Sequence, residues 1–441
     1  MYPLFVGSGA MEKKCTMYFS IFFRASSWSM QALAAHWAFF VVSQDVIIKY
    51  QGRAVILGDH TYVPKDGRRM PGVLSLHQNS ETQSKPSYFR GHCWSAIGVL
   101  IGSLTTPYCL PLFLQLHLGM LHIGQEQENE KESKSETMGT RIVQMAIDFA
   151  LRHNLACTLV LDAFFPSGAV FKLVDSVWSI ELKQPLVNLI IRAKKNCVAY
   201  FKAEKSLEKK AGRPSKYGDK VNLMELFDHL YLFAKIKCSI YGKEEEILIS
   251  SLDLLWKPTG ELIRFVLALT SRGKLVLMCS DLNQEPVGAV ELYCLRPRVE
   301  VMLDMLKNVL GVFSYRFWSQ KMPKHSRKPI KNSELKSVPI DYLNTVKLCW
   351  NGIERFVMLG CIALGILQLI AIKHGQTVWD QFDGFLRTRS RAIPSERTVK
   401  YVIARLVIRD FLISPKNEVM RIIVERYFGV KQSSEVEKEA V

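Results

Sequence analysis

The sequence holds no CxxC pair, no His near any Cys at zinc-ligand spacing, no internal repeat, and no small-residue cleavage site following cleanly after its apolar run Phe19 to Phe23. The missing Cys and His spacings argue against a structural zinc site, and the missing cleavage site makes the N-terminus a poor secretory signal. Glycine (26) and proline (17) are sparse and cysteine numbers only ten in 441 residues, which excludes a collagen-like fibre and a small disulfide scaffold. Scattered thiols in a long chain read as reduced, mostly buried intracellular cysteines.

What the chain does have is a hydrophobic fraction of 48% and a charged fraction of 22%, enough to build a large core and too apolar for a disordered chain. Its 58 Lys and Arg against 41 Asp and Glu leave a net charge of +17, which attracts polyanions such as nucleic acid or acidic lipid. Three apolar stretches raise the question of a membrane: Phe39 to Val42 with its flanks, Cys93 to Ile123 and Phe356 to Ile372. Pro107, Pro111 and several Ser, Thr and His residues break the second into two or three buried strands. The third, at about 17 residues, is at the lower limit for a span, and its Gly360, Gly365 and Gln368 suit a wholly buried helix. No membrane association is therefore expected.

Along the chain, residues 1–50 are aromatic-rich, with a helix expected over Ser29 to Ser43. RAVILG (Arg53 to Gly58) is an apolar strand ending at Asp59 in GDHT, and Tyr88 to His122 carries buried strands. QEQENEKESKS (Gln125 to Ser135) is a solvated linker. Arg141 to Arg152 has amphipathic helical spacing, TLVLDAFF (Thr158 to Phe165) is a buried strand carrying Asp162, Ala169 to Val177 is helical and Leu186 to Arg192 is again a strand. This alternation predicts α/β architecture, a mixed sheet flanked by helices. Residues 194–220 are basic and include GRPSKYG (Gly212 to Gly218). Residues 235–281 are strand-like, 285–310 helical, 320–331 basic again, and 340–428 helical. The segments expected are 1–50, a helical remnant; 51–196, the first part of the core; 197–284, a basic linker and β-rich insertion; 285–335, a helix completing the core; and 336–441, a helical C-terminal region.

Three features carry chemistry. Asp59 and Asp162 each close an apolar strand, where a carboxylate is expensive to bury unless paired or bound to a cation; a capped turn or salt bridge explains either one alone. The third is ELYCLRPRVEVMLDMLKN, in which Tyr293, Arg296, Glu300 and Lys307 are separated by three, four and seven residues. On one continuous helix these would form a stripe about 20 Å long with Glu300 near its middle, a carboxylate between cations. That suits a metal ligand flanked by phosphate clamps, although neighbouring Arg298, Asp304 and Glu291 make an ordinary solvated face the plain alternative.

The Tyr-x2-Arg-x3-Glu-x6-Lys spacing resembles the signature of DDE transposases of the insertion sequence 4 superfamily, and the GDHT and LVLDAFF strands look like their two upstream acidic motifs, in the family's order. The phrases VPKDGRRMPGV, SETQSKPSYFRGH and GRPSKYG are similar too, so the resemblance covers roughly residues 50 to 330. It implies an RNase H-like fold with Asp59 on the first strand, Asp162 on the fourth, Glu300 on a later helix, and a β-rich insertion before that helix. It implies that Asp59, Asp162 and Glu300 hold two Mg²⁺ ions, with Mn²⁺ able to substitute, for phosphodiester hydrolysis at transposon ends and strand transfer by the freed 3′-hydroxyl. The three carboxylates should then lie within about 10 Å of one another. Tyr293, Arg296 and Lys307 would contact the backbone of the transposon end, and Arg298, Arg213 and Lys216 are further DNA-binding candidates. The implied partners are double-stranded DNA, both terminal repeats and target, and a second copy of the chain; the implied location is the cytoplasm, at the nucleoid.

Weaker candidates are His60 and Thr61 beside the first Asp, and His92, for which structural hydrogen bonding is the plainer role. Trp256 and Trp318 could stack on a base but suit the core better, and Gly212 to Pro214 could enter a minor groove. The pattern departs from the family at the N-terminus, where a helical end-binding region is expected and only 58 aromatic-rich residues precede Asp59. The sequence thus reads as a shortened or frame-altered copy with weakened end recognition. Two readings compete with an active transposase: a catalytically inactive transposase-derived DNA-binding protein, and a membrane protein.

Overall fold

The computed structural model describes residues 21–77, 88–117, 137–179, 181, 183–203, 215–240, 242–322, 324, 342–385 and 391–413. The chain forms two compact units: one comprises residues 28–304 with 318–347, the other residues 1–27, 305–317 and 348–441.

The first unit is built on one large mixed sheet. Its strands are β1 (Lys49–Tyr50), β2 (Arg53–Pro64), β3 (Leu74–His77), β4 (Tyr88–Ile101), β5 (Tyr108–Leu116), β6 (Cys157–Leu161), β9 (Val187–Arg192), β10 (Val198–Lys202), β11 (Tyr217–Asn222), β12 (Ala234–Ile240), β13 (Lys243–Trp256), β14 (Glu261–Thr270) and β15 (Gly273–Cys279). Two further short strands, β7 (Trp178–Ser179) and β8 (Gln184–Pro185), pair only with each other. Across the sheet the order is β11-β10-β13-β14-β15-β9-β6-β2-β4-β3, with β1 on β2, β5 on β4 and β12 on β13. The centre, β2, β6 and β9, is parallel, and β4 and β5 continue from β2 antiparallel. Such parallel strands are buried on both faces, which is why they read as unbroken apolar runs rather than alternating ones. The β-rich stretch between Asp162 and the later helices is present, and it extends this same sheet, because β15 pairs with β9.

Helices of this unit are α1 (Met30–Ser43), α2 (Met138–His153), α3 (Gly168–Asp175), α4 (Pro286–Cys294) and α5 (Pro297–Asp304). α2 starts at a Thr137–Thr140 capping box and ends at Asn154 in a left-handed conformation, φ 44°; between them Ile142, Val143, Ala146, Phe149 and Ala150 form its buried stripe. Two glycines let helices approach both faces of the sheet. A Cβ on Gly58 of β2 would lie 2.6 Å from Ile142 of α2, and one on Gly98 of β4 would lie 2.8 Å from the Met302 sulfur of α5. α1, capped by Ser29, is anchored by the Trp37 indole N–H donating to the Pro111 carbonyl at 2.9 Å.

Several sequence expectations need correction. β2 runs five residues beyond Asp59, so this carboxylate is mid-strand rather than at a strand end, and β6 stops at Leu161, leaving Asp162 just past it. The helical segment near 285–310 is not one helix. Pro297 lacks an N–H and its ring would collide with the carbonyl of Tyr293, so α4 ends at Cys294 and Pro297 opens α5. A π-helical turn, Met305–Val309, follows.

His92 is core, not site: it is fully buried in β4, and its Nε2 donates to the Pro71 carbonyl at 2.9 Å. Burial pushes its pKa from 6.5 down to about 3. Unfolding releases that restraint, so the stability it protects is complete above pH 6.5 and is lost as pH falls from 6.5 towards 3. Between pH 7 and pH 5 the wild type should therefore lose about 2 kcal/mol that His92→Gln does not lose. Urea midpoints at the two pH values measure this, and equal losses in both proteins would refute it.

The second unit contains α6 (Leu343–Lys373) from Leu348 onward, α7 (Gly375–Asp380) and α8 (Glu396–Ile413). α6 is long and apolar enough to cross a membrane, the only such helix among the described residues, and half of its most apolar window is buried. It is not wholly buried as the sequence suggested: Cys349, Ile353, Val357, Cys361 and Leu364 face inward while Leu348 and Ile366 are exposed. Gln368 Nε2 donates to Glu396 Oε1 at 3.0 Å in the interior, fixing α6 to α8.

Candidate active site

The parallel pairing of β2 with β6 puts Leu57 opposite Val160. Two residues further on, Asp59 and Asp162 therefore come level on the same face, at the carboxyl edge of the parallel strands, the edge where open α/β sheets bind ligands. The helix break at Pro297 supplies the third side. Tyr293 sits at the end of α4, Arg296 in the elbow and Glu300 in the first turn of α5, so the three converge although they do not share one helical face.

Arg296 stands at the centre. Its Nη2 donates to Asp59 Oδ2 at 2.7 Å and lies 3.7 Å from Asp162 Oδ2, while Nη1 donates to Glu300 Oε1. Two carboxylate oxygens share one nitrogen, so they are no further apart than those two distances laid end to end, well inside the window of about 10 Å. The Tyr293 hydroxyl donates to Asp162 Oδ1 at 3.0 Å. Asp59 Oδ1 accepts from the His60 backbone N–H at 2.8 Å. The pocket grades from closed to open: side-chain exposure is 13% for Asp59, 35% for Asp162 and 58% for Glu300.

Burial pushes the Asp59 pKa up to about 6, against the pull of the Arg296 guanidinium and the His60 N–H. Burial, with Arg296, pushes His60 down to about 4, so this imidazole is neutral near pH 7. Its ring packs on Tyr62, Phe164 and Phe165. The Tyr293 phenol is raised by burial and by Asp162. Burial opposes the Arg296 charge, but Asp59, Asp162 and Glu300 together outweigh it and raise its pKa.

Among the described residues no three His, Cys, Asp or Glu side chains are gathered as a ready metal cluster. The donor set nevertheless fits a hard divalent cation, being three carboxylates around one positive group. Among the described residues, two buried polar atoms at this site, His60 Nδ1 and Arg296 Nε, have no hydrogen-bond partner.

The remaining candidates scatter. Arg298 is exposed on α5. Lys307 is exposed on the π-helical turn, which belongs to the other compact unit. Lys216 lies just before β11, half exposed and 3.5 Å from Glu261. Arg213 and the stretch Gly212 to Pro214 lie outside the described residues, as does most of 320–331. Trp256 is core, edge-on to Phe171, whereas Trp318 is exposed. Thr61 follows on β2, partly exposed.

One site residue was missed. Arg192 closes β9, and its positive charge pulls the Tyr293 phenol down against the push of burial and Asp162. The β6–β9 register, with Leu161 opposite Ile191, brings Arg192 level with Asp162. A basic residue ending the apolar run VNLIIR, on a strand parallel to the one ending in Asp162, was the available signal. No protein-family model matches the chain, and no curated protein matches it.

Proposed function

We propose that the chain is a DNA transposase of the DDE kind, a divalent-cation-dependent phosphoryl transferase acting on double-stranded DNA, with Asp59, Asp162 and Glu300 as the cation-holding set. The observation that carries this reading is the gathering of three carboxylates, distant in sequence, around one guanidinium. The strand order supports an RNase H-like core, since β5-β4-β2-β6-β9 gives three antiparallel strands followed by two parallel to the first. The net charge of +17 suits a polyanionic substrate.

Mg²⁺ or Mn²⁺ bound to these carboxylates would activate a water or 3′-hydroxyl and stabilise the leaving oxygen. The chain's own residues do the rest. Asp59 forms the buried end of the site, held by the His60 backbone N–H. Tyr293 holds Asp162 through its hydroxyl, and the Arg192 charge lies beside the pair. Arg296, Arg192 and the exposed Arg298 supply planar forks that match phosphate oxygens.

The test is nicking of supercoiled plasmid by purified protein with Mn²⁺, Mg²⁺ or chelator. Cation-dependent nicking by the wild type, absent from Glu300→Gln, is the expected result. Nicking that survives in Glu300→Gln would assign cleavage to something else. Wild-type DNA binding with no nicking at all would favour the inactive, transposase-derived binding protein.

A further inference from the structure

We propose that Arg296 gates cation loading: its guanidinium holds the place of the divalent cations among Asp59, Asp162 and Glu300 until a phosphate of bound DNA draws it out. The inference rests on the reading of those carboxylates as a divalent-cation site.

The geometry supplies the competition. Arg296 engages one oxygen of each carboxylate, two of them through a single nitrogen, so the guanidinium and a bridging cation need the same oxygens. Its hold on the protein is also one-sided. Among the described residues Nε is buried with no partner, and the head group is fixed through its terminal nitrogens to carboxylates. A phosphate presents the same planar acceptor pair to the same fork. The residue is placed to move, because it belongs to the joint between α4 and α5 rather than to either helix. The way out is on the Glu300 side, where exposure is 58% against 13% at Asp59.

Charge balance makes the two states alternatives. With Arg296 in place, one positive charge offsets three carboxylates. Withdrawn, it leaves the trio open to divalent cations and carries its own charge to the DNA backbone. A protein whose cation-competent state is a minor one binds cations more weakly by that fraction, and a ligand that selects the same state restores the affinity. Cation and DNA binding are thereby coupled, each tightening the other. The free protein is kept from loading a cleaving site in the absence of substrate.

The experiment measures Mn²⁺ affinity by electron paramagnetic resonance of the free ion, on full-length protein, with and without a 5′-phosphorylated duplex, correcting for Mn²⁺ bound by the duplex alone. Without DNA, Arg296→Gln should bind Mn²⁺ roughly tenfold or more tightly than the wild type. Arg296→Lys, whose donors all sit on one nitrogen and cannot span three carboxylates as the fork does, should fall between them. Adding duplex should tighten Mn²⁺ binding in the wild type by more than in Arg296→Gln. Equal Mn²⁺ affinities across the three proteins, lost in Asp59→Asn, would overturn the gate and leave the three-carboxylate site standing. No saturable Mn²⁺ site in any protein, or one indifferent to Asp59→Asn, would overturn the site itself and the gate with it. If Arg296→Gln does not fold, the wild type and Arg296→Lys decide: affinity that neither DNA nor the lysine changes overturns the gate.

Discussion

Arg296→Ala is expected to lose about 3–5 kcal/mol of folding stability at pH 7, the cost of removing one partner from a buried ion pair and leaving the other uncompensated. Asp59 suffers most. It is 13% exposed, it accepts from the guanidinium at 2.7 Å, and its other oxygen is held only by the His60 N–H. Asp162 keeps the Tyr293 hydroxyl, and Glu300 is open to water, so neither adds as much. The loss should shrink as pH falls. Without the guanidinium, Asp59 holds its proton more tightly than the value near 6 it has beside Arg296, and a protonated carboxyl no longer needs a counter-charge. Urea midpoints of the variant and the wild type at pH 7 and pH 5 test both parts. A loss below about 1 kcal/mol at pH 7 would place this ion pair with exposed salt bridges and remove the guanidinium's structural role.

The sequence shows the two strand-borne carboxylates clearly and the third side of the site poorly, for reasons local to the residues. Runs such as RAVILG and TLVL announce themselves because parallel strands are covered on both faces, and the Arg141–Arg152 periodicity announces α2 because one face of that helix is buried. Strand ends are harder. Nothing in GDHTYV marks a stop, since Thr, Tyr and Val suit a strand, and the backbone of β2 stays paired with β4 as far as Pro64. The Tyr293–Lys307 spacing suggested one helical stripe, but Pro297 forbids it, and this proline was visible in the sequence. The break turns Arg296 from a surface cation into the buried hub of three carboxylates. No periodicity could reveal that, because the contacts depend on how the elbow sits over the sheet. The level placement of Asp59, Asp162 and Arg192 needs only the register of β2, β6 and β9, which is fixed by pairing rather than by local sequence.

Asp59→Asn is expected to stabilise the protein at pH 7.5, by about 2 kcal/mol. The sign follows from the direction of the shift. Unfolded, this carboxyl ionises at its ordinary value of 3.8; folded, burial holds the proton until about pH 6. Below 3.8 both states are protonated and there is no cost. Between 3.8 and 6 the unfolded state ionises first and stability falls, and above 6 the cost is complete. Asparagine never ionises, and its one carbonyl oxygen can accept from Arg296 Nη2 in place of Asp59 Oδ2, at the cost of about 1 kcal/mol for the bond that Asp59 Oδ1 accepts from the His60 N–H, which an amide NH2 cannot replace. The gain should accordingly be full at pH 7.5 and gone by pH 4, measured as the difference in urea midpoints between variant and wild type. Destabilisation at pH 7.5 would instead mean that the Asp59–Arg296 pair outweighs the desolvation of the carboxylate. A gain has a further meaning. A charge that weakens the fold where a neutral isostere would strengthen it marks a candidate functional group, and under the proposed function its task would be the holding of a cation beside Asp162 and Glu300. Stability that rises in Asp59→Asn while cation-dependent nicking disappears would tie both effects to one carboxylate.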